Sequence, residues 1–214
     1  MKILKPMIVI AALALATPML MASEQDRVDR ATRIVERFKA MPEKQIPRHV
    51  LREAEGIAVI SMAKGGFVFS GRVGDGIVMA RTGHGWSGPS FIHTGGIGFG
   101  AQIGGQVTDM VLVLNTPAAV KAFIRDGNVE LGGALSVAAG PMGRDAEAGV
   151  MPKAAVYTYS LSKGLFAGAS LEGTVFMTDK GANERYYHRP VSASAILSGK
   201  VARPRGAAEL ARSV

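Results

Sequence analysis

From residue 56 onward, glycine breaks the chain so often that no long helix can run through it. Apolar segments at 57–63, 66–73 and 76–81 are each bounded by glycine, and 27 of the 214 residues are Gly. A glycine within a helix costs about 0.5–1 kcal/mol relative to alanine, whereas at a turn between extended segments it is well tolerated. These segments therefore read as successive strands, with Gly83-His84-Gly85 as a further turn. Within 89–107 the residues Gly96, Gly98 and Gly100 alternate with Ile97, Phe99 and Ala101, leaving one strand face without side chains. Such a face admits an acyl chain or the close packing of another element. Further strands are predicted at 109–115, 129–139, 154–161, 164–171 and 174–178, and 140–153 reads as an exposed loop.

Helices are expected around this strand region. Residues 24–40 place Val28, Ala31, Val35 and Phe38 on one stripe at helical spacing, with Ser23 as N-cap. Arg27, Arg30, Arg33 and Arg37 form a neighbouring basic stripe. A short helix is predicted from Pro47 to Glu55, another from Pro117 to Arg125 capped by Thr116, and one over 183–197. The class is α+β: an antiparallel barrel or sandwich of about nine short, Gly-rich strands, with packed helices at the N-terminus, middle and C-terminus.

The first 22 residues read as a signal peptide. Lys2 and Lys5 precede the uncharged apolar run 7–22, which is shorter than the roughly 20 residues of a spanning helix. Cleavage after Ala22 or after Ala16 fits, and an uncleaved anchor is the alternative. The expected placement is periplasmic or secreted, without lipoprotein attachment or disulfides because the chain has no Cys. The formal charge of +8 falls to +6 without Lys2 and Lys5, and residues 185–214 carry +5 of that. The remaining body is close to neutral, which argues against nucleic-acid binding. Residues 200–214 read as a basic tail, whose Lys200, Arg203 and Arg205 could contribute about 1 kcal/mol each near an anionic membrane.

No catalytic constellation is visible. Gly96-Ile-Gly98-Phe-Gly100 lacks the strand-to-helix turn that a dinucleotide fingerprint requires. Ser61-Met-Ala-Lys64 and Ser160-Leu-Ser-Lys163 match S-x-x-K without its accessory motifs. His49, His84, His93 and His188 are scattered, no metal spacing exists, and no cofactor is expected. Asp109, just before an apolar strand, reads as a structural hydrogen-bonding residue.

Ten short motifs occur in one order between about residue 30 and Gly199. They include Lys64-x-Gly66-Phe67, Gly74-x-Gly76-Ile77-Val78, Trp86-Ser87-x-Pro89, Gly140-Pro141-x-Gly143-Arg144, Ser162-Lys163-Gly164-Leu165-Phe166 and Leu171-Glu172-Gly173, with Asn183 and Tyr186-Tyr187 beyond them. In this the chain resembles the SYLF domain family, over residues 23–199. The resemblance implies a non-enzymatic phospholipid-binding protein, and with the export reading it implies association with anionic lipids of the cell envelope. The alternative is a structural or interaction protein of the envelope that self-assembles or binds a protein partner. Candidate lipid contacts are Arg27, Arg30, Arg33 and Arg37 on the helix, and a basic rim of Lys64, Arg72, Arg81 and Lys163 beside Gly-rich turns. Gly96, Gly98 and Gly100 are the candidate acyl-chain or close-packing face.

Overall fold

The computed structural model describes residues 22–41, 45–124, 129–130, 135–141, 154–164 and 174–214; side chains of 65–70, 97–105, 129–130 and 163–164 are not described. The predicted signal peptide, the loop residues 142–153 and the strand residues 165–171 therefore lie outside the described residues.

Helix α1 (Glu24–Lys39) starts where the sequence predicts. Ser23 and Asp26 close a capping box, with Ser23 Oγ accepting from the Asp26 amide at 3.1 Å and Asp26 Oδ2 from the Ser23 amide at 3.0 Å. Helix α2 (Arg48–Glu53) follows. The chain then enters β1 (Gly56–Thr82), turns through β2 (Gly85–Trp86) and returns along β3 (Ser90–Leu114). Helix α3 (Pro117–Ile124) is capped by Thr116, whose Oγ1 accepts from the Ala119 amide at 3.1 Å. Short strands β4 (Val129–Glu130) and β5 (Val137–Ala139) precede β6 (Val156–Gly164) and β7 (Val175–Thr178). Helices α4 (Lys180–Tyr187), α5 (Ala193–Leu197) and α6 (Ala208–Ser213) complete the chain.

The α+β class holds, but the strands differ from expectation. The short segments between glycines join into β1 of 27 residues and β3 of 25, paired antiparallel from Gly56↔Leu114 to Val78↔Ser90. Seven strands are formed among the described residues. β6 and β7 lie along the same edge of β3, β4 pairs with β7, and β5 runs parallel to β6. The result is a mixed sheet and not a closed barrel.

The β1–β3 ribbon doubles back on itself, and glycine makes this possible. The Arg81 amide donates to Glu55 O at 2.8 Å. A Cβ on Gly74 would stand 2.4 Å from Ser61 O, and one on Gly76 2.5 Å from Val59 O. Backbone meets backbone there, so a side chain would separate the two halves of the strand. This brings residues 72–74 beside 62–64.

Both faces of the sheet are covered, which explains the near-continuous apolar runs in β1 and β3. Ile57, Val59, Ile77, Met79, Val111 and Val113 pack under Val28, Val35 and Phe38 of α1, together with residues of α2, α4 and α6. Ala58, Ile60, Val78, Met110 and Leu112 face the other way, toward Val120 and Phe123 of α3 and Leu197 of α5.

Two C-terminal expectations change. The helix predicted over 183–197 is split into α4 and α5 by His188, in the left-handed region at φ 54°, and by Pro190, which has no amide hydrogen to continue a helix. The segment expected as a basic tail folds back: Ala207 and Leu210 are fully buried against the α1 layer, and Lys39 Nζ donates to Ser213 O at 3.3 Å.

Candidate functional site

The basic stripe of α1 turns inward. Arg27 is 6% exposed; its Nη1 donates to Asp179 Oδ2 at 2.9 Å, its Nη2 to Ile92 O at 2.9 Å, and its Nε lies 3.0 Å from Asp75. The guanidinium also stacks 4.8 Å above the Phe91 ring. Arg30 reaches Asp75 Oδ1 at 2.6 Å, and Arg37 reaches Asp109 Oδ2 at 2.7 Å. Ser61 Oγ donates to the other Asp109 oxygen at 2.8 Å, which supports the structural role expected of Asp109. Ser61↔Asp109 and Asp75↔His93↔Met177 are cross-strand partners, so α1 crosses the strands and meets a carboxylate at successive points.

Asp179 joins this network to α4. It accepts from the Ala182 amide as N-cap and faces His93 Nε2 at 2.9 Å. Burial pushes its carboxyl up, but hydrogen bonds from His93, the Ala182 amide and Arg27 outweigh that and hold it well below the usual carboxylate range. Arg27, Arg30 and Arg37 are thus anchors of the fold, whereas a membrane contact requires an exposed guanidinium. Only Arg33 of the stripe is fully exposed.

The predicted basic rim is divided. Arg81 serves the end of α2: its Nε donates to Ala54 O at 2.8 Å, its Nη2 to Leu51 O at 2.9 Å, and it stacks 4.5 Å over the Trp86 ring. Lys64 and Arg72 are brought together on the face opposite α1. Arg72 is buried, with Nη1 donating to Thr174 Oγ1 at 3.0 Å. Half-buried Lys64 has its amine pulled below its usual range by burial and then by repulsion from Arg72. Gln106 lies directly across from Lys64, and among the described residues its buried Nε2 has no hydrogen-bond partner, nor has Thr94 Oγ1. The Lys163 side chain lies outside the described residues. Gly96 is in register with Arg72 and Gly98 with Ser70; what approaches Gly98 and Gly100 is likewise outside them.

On the α1 face, helix cover ends near the row of Asp75. Beyond it Val73 is 49% exposed, and Met177, in the Asp75 row itself, is 40% exposed. Among the described residues a Cβ on Gly71 would meet nothing within 4 Å. Among the described residues no group of three or more His, Asp or Glu could hold a metal, and no helix is long and apolar enough to cross a membrane.

Sequence reasoning missed Asp75, Asp179, His93, Gln106 and Thr174. Asp75 carried a signal, since it is a lone acid between two glycines in an apolar strand. The others became functional candidates only through pairing.

These features define an α+β domain with an internally neutralised helix–sheet contact, an exposed sheet strip and a cationic row. The chain belongs to the Ysc84 (SYLF) family, described as Las17-binding protein actin regulator, whose pattern matches residues 95–214. An SH3 domain-containing protein of Schizosaccharomyces pombe is 49% identical over 78% of this chain and 40% of its own length. The SH3 domain-containing YSC84-like protein 1 of Homo sapiens is 46% identical over 79% of this chain and 50% of its own. LAS seventeen-binding protein 3 of Saccharomyces cerevisiae is 47% identical over 74% of this chain and 36% of its own. The chain therefore spans half or less of the length of these relatives. They carry the names of binding and regulatory proteins, not of enzymes. They also correct the periplasmic or secreted placement read from the N-terminal run, because they are named as SH3 domain-containing and Las17-binding proteins and come from yeasts and mammals.

Proposed function

We propose that this chain is a non-enzymatic interaction domain that binds a protein partner of the actin-regulating class through the sheet strip at Val73 and Met177. The supporting observation is that these are the large apolar side chains left exposed among the described residues, Met177 in the row of Asp75 and Val73 beside it. An apolar patch rimmed by charged groups is a common mark of a protein contact. The relatives' names supply the partner class: Las17 or actin.

The test is binding of the purified chain to immobilised Las17 and co-sedimentation with actin filaments, with Val73→Asp/Met177→Asp alongside. Retained fold and at least about tenfold weaker binding of the double variant is the expected result, since buried interface anchors often exceed 1.4 kcal/mol. Failure to bind either partner, or equal binding by the variant, would sink this reading. Light scattering of the same samples separates partner binding from self-assembly.

A second reading is recognition of anionic phospholipid headgroups, favoured by the pairing of Lys64 with Arg72 and by the exposed Arg33. Co-sedimentation with anionic but not zwitterionic vesicles, weakening as salt rises, is the expected outcome. Vesicle binding that ignores headgroup charge would remove this reading.

A further inference from the structure

The described methionines divide by exposure. Met62, Met79 and Met110 are 5% exposed or less and sit in the two cores, and half-buried Met41 packs against the α1 layer. Met177 stands apart at 40% and joins neither core. The strand that carries it is fixed by its neighbours. Phe176 is 1% exposed and meets the Phe123 ring edge-on at 6.0 Å, and Asp179 ties the strand end to Arg27, His93 and the Ala182 amide. The Met177 side chain is therefore not one on which the sheet depends.

A thioether is soft and polarisable, and its reactivity toward a peroxide follows its exposure. His93, directly across from Met177, has 53% of its side chain exposed as well, so solvent-borne peroxide reaches this position. The step needs no catalytic group. A sulfur lone pair forms an S–O bond with one peroxide oxygen and the O–O bond breaks. The proton of the bonded oxygen passes to the other, which leaves as water, and the peroxide gains the two electrons that sulfur loses. The product is a sulfoxide, whose polar oxygen accepts hydrogen bonds. The donors of this row are already committed, His93 Nε2 to Asp179 at 2.9 Å and Arg30 Nη2 to Asp75 at 2.6 Å. A partner closing over the strip would bury the new oxygen without a donor, which is unfavourable.

We propose that Met177 is an oxidation site of the folded domain: peroxide converts it to the sulfoxide with the sheet intact, and the sulfoxide weakens binding at the strip of Val73 and Met177. The binding clause rests on the interaction reading above; the selectivity of oxidation does not.

The test is exposure of the full chain to hydrogen peroxide, with the methionines followed over time by peptide mass spectrometry. Met177 is expected to oxidise at least about tenfold faster than Met79 and Met110, which react only when the core opens. In urea, where all are exposed, the difference should vanish. Circular dichroism and the melting midpoint should stay close to those of untreated protein while Met177 alone is oxidised. Binding to immobilised Las17 or to actin filaments, whichever the untreated chain shows, should then weaken about fivefold or more. Methionine sulfoxide reductase should restore it. In Met177→Leu, whatever its own affinity, peroxide should leave binding where it was, which separates Met177 from Met41 and from methionines outside the described residues. Oxidation of Met177 no faster than that of Met79, loss of the fold when it oxidises, or equal binding before and after overturns the proposal. If untreated chain binds neither Las17 nor actin, the interaction reading falls and takes the binding clause with it, while fast oxidation of Met177 with the fold intact still upholds the site itself.

Discussion

Beneath α1, Asp75, Asp109 and Asp179 each meet an arginine of the helix; across the same ribbon, Lys64 and Arg72 lie beside neutral Gln106, Thr94 and Thr174. Both faces keep guanidinium or ammonium groups out of bulk water, but they compensate them differently. The α1 face carries its counter-charges within the chain, so its arginines hold helix to sheet. On the opposite face Arg72 Nη1 donates instead to the neutral hydroxyl of Thr174. A basic residue in a sequence can thus meet a carboxylate or a neutral acceptor, and its place in the fold decides which.

The comparison can be broken from the α1 side. Asp75→Ala would leave Arg30 without its carboxylate and Arg27 with Asp179 alone, and breaking a buried ion pair costs about 3–5 kcal/mol. Urea denaturation should show that loss, and an unchanged midpoint would mean that the network does not hold the helix. The Asp179 carboxyl comes next. Its folded-state pKa lies below its unfolded value, so its contribution is present above the unfolded value and is lost as pH falls through the folded one. Thermal melts should therefore lose stability as pH drops below about 4, and Asp179→Asn should flatten that dependence.

Smaller effects sharpen the gradient along the helix. Arg37 is 35% exposed, so solvent screens its pair with Asp109. Arg37→Ala should cost about 1 kcal/mol, near the upper end for exposed pairs. Arg33→Ala, at the exposed member of the stripe, should change stability by less than about 0.5 kcal/mol. A cost at Arg33 equal to that at Arg37 would mean that exposure does not rank these arginines.

Much of the local structure was legible. The capping box at Ser23, the α1 core stripe, the Thr116 cap and the turn at 83–85 all follow from short-range chemistry, because caps and turns depend on residues a few positions apart. The strands were legible as extended but not as continuous: Gly65 and Gly74 read as turns between strands, yet they lie within one strand. The same residue serves a turn and a close backbone crossing, and its local sequence does not distinguish them. The C-terminal segment read as a tail because Ala207 and Leu210 acquire their role only when α1 supplies a surface.

By itself the sequence determined the α+β class, the starts of α1, α2 and α3, the absence of disulfides and, through ten ordered motifs, the family. These depend on composition, spacing and near neighbours, which the chain carries in any conformation. Only the tertiary structure decided that Arg27, Arg30 and Arg37 are tied to Asp75, Asp109 and Asp179, and that Lys64 and Arg72 meet across a doubled strand. The arginine–aspartate partners lie 45 to 152 residues apart, and the strength of a charge pair depends on distance and burial in space, which sequence order does not specify.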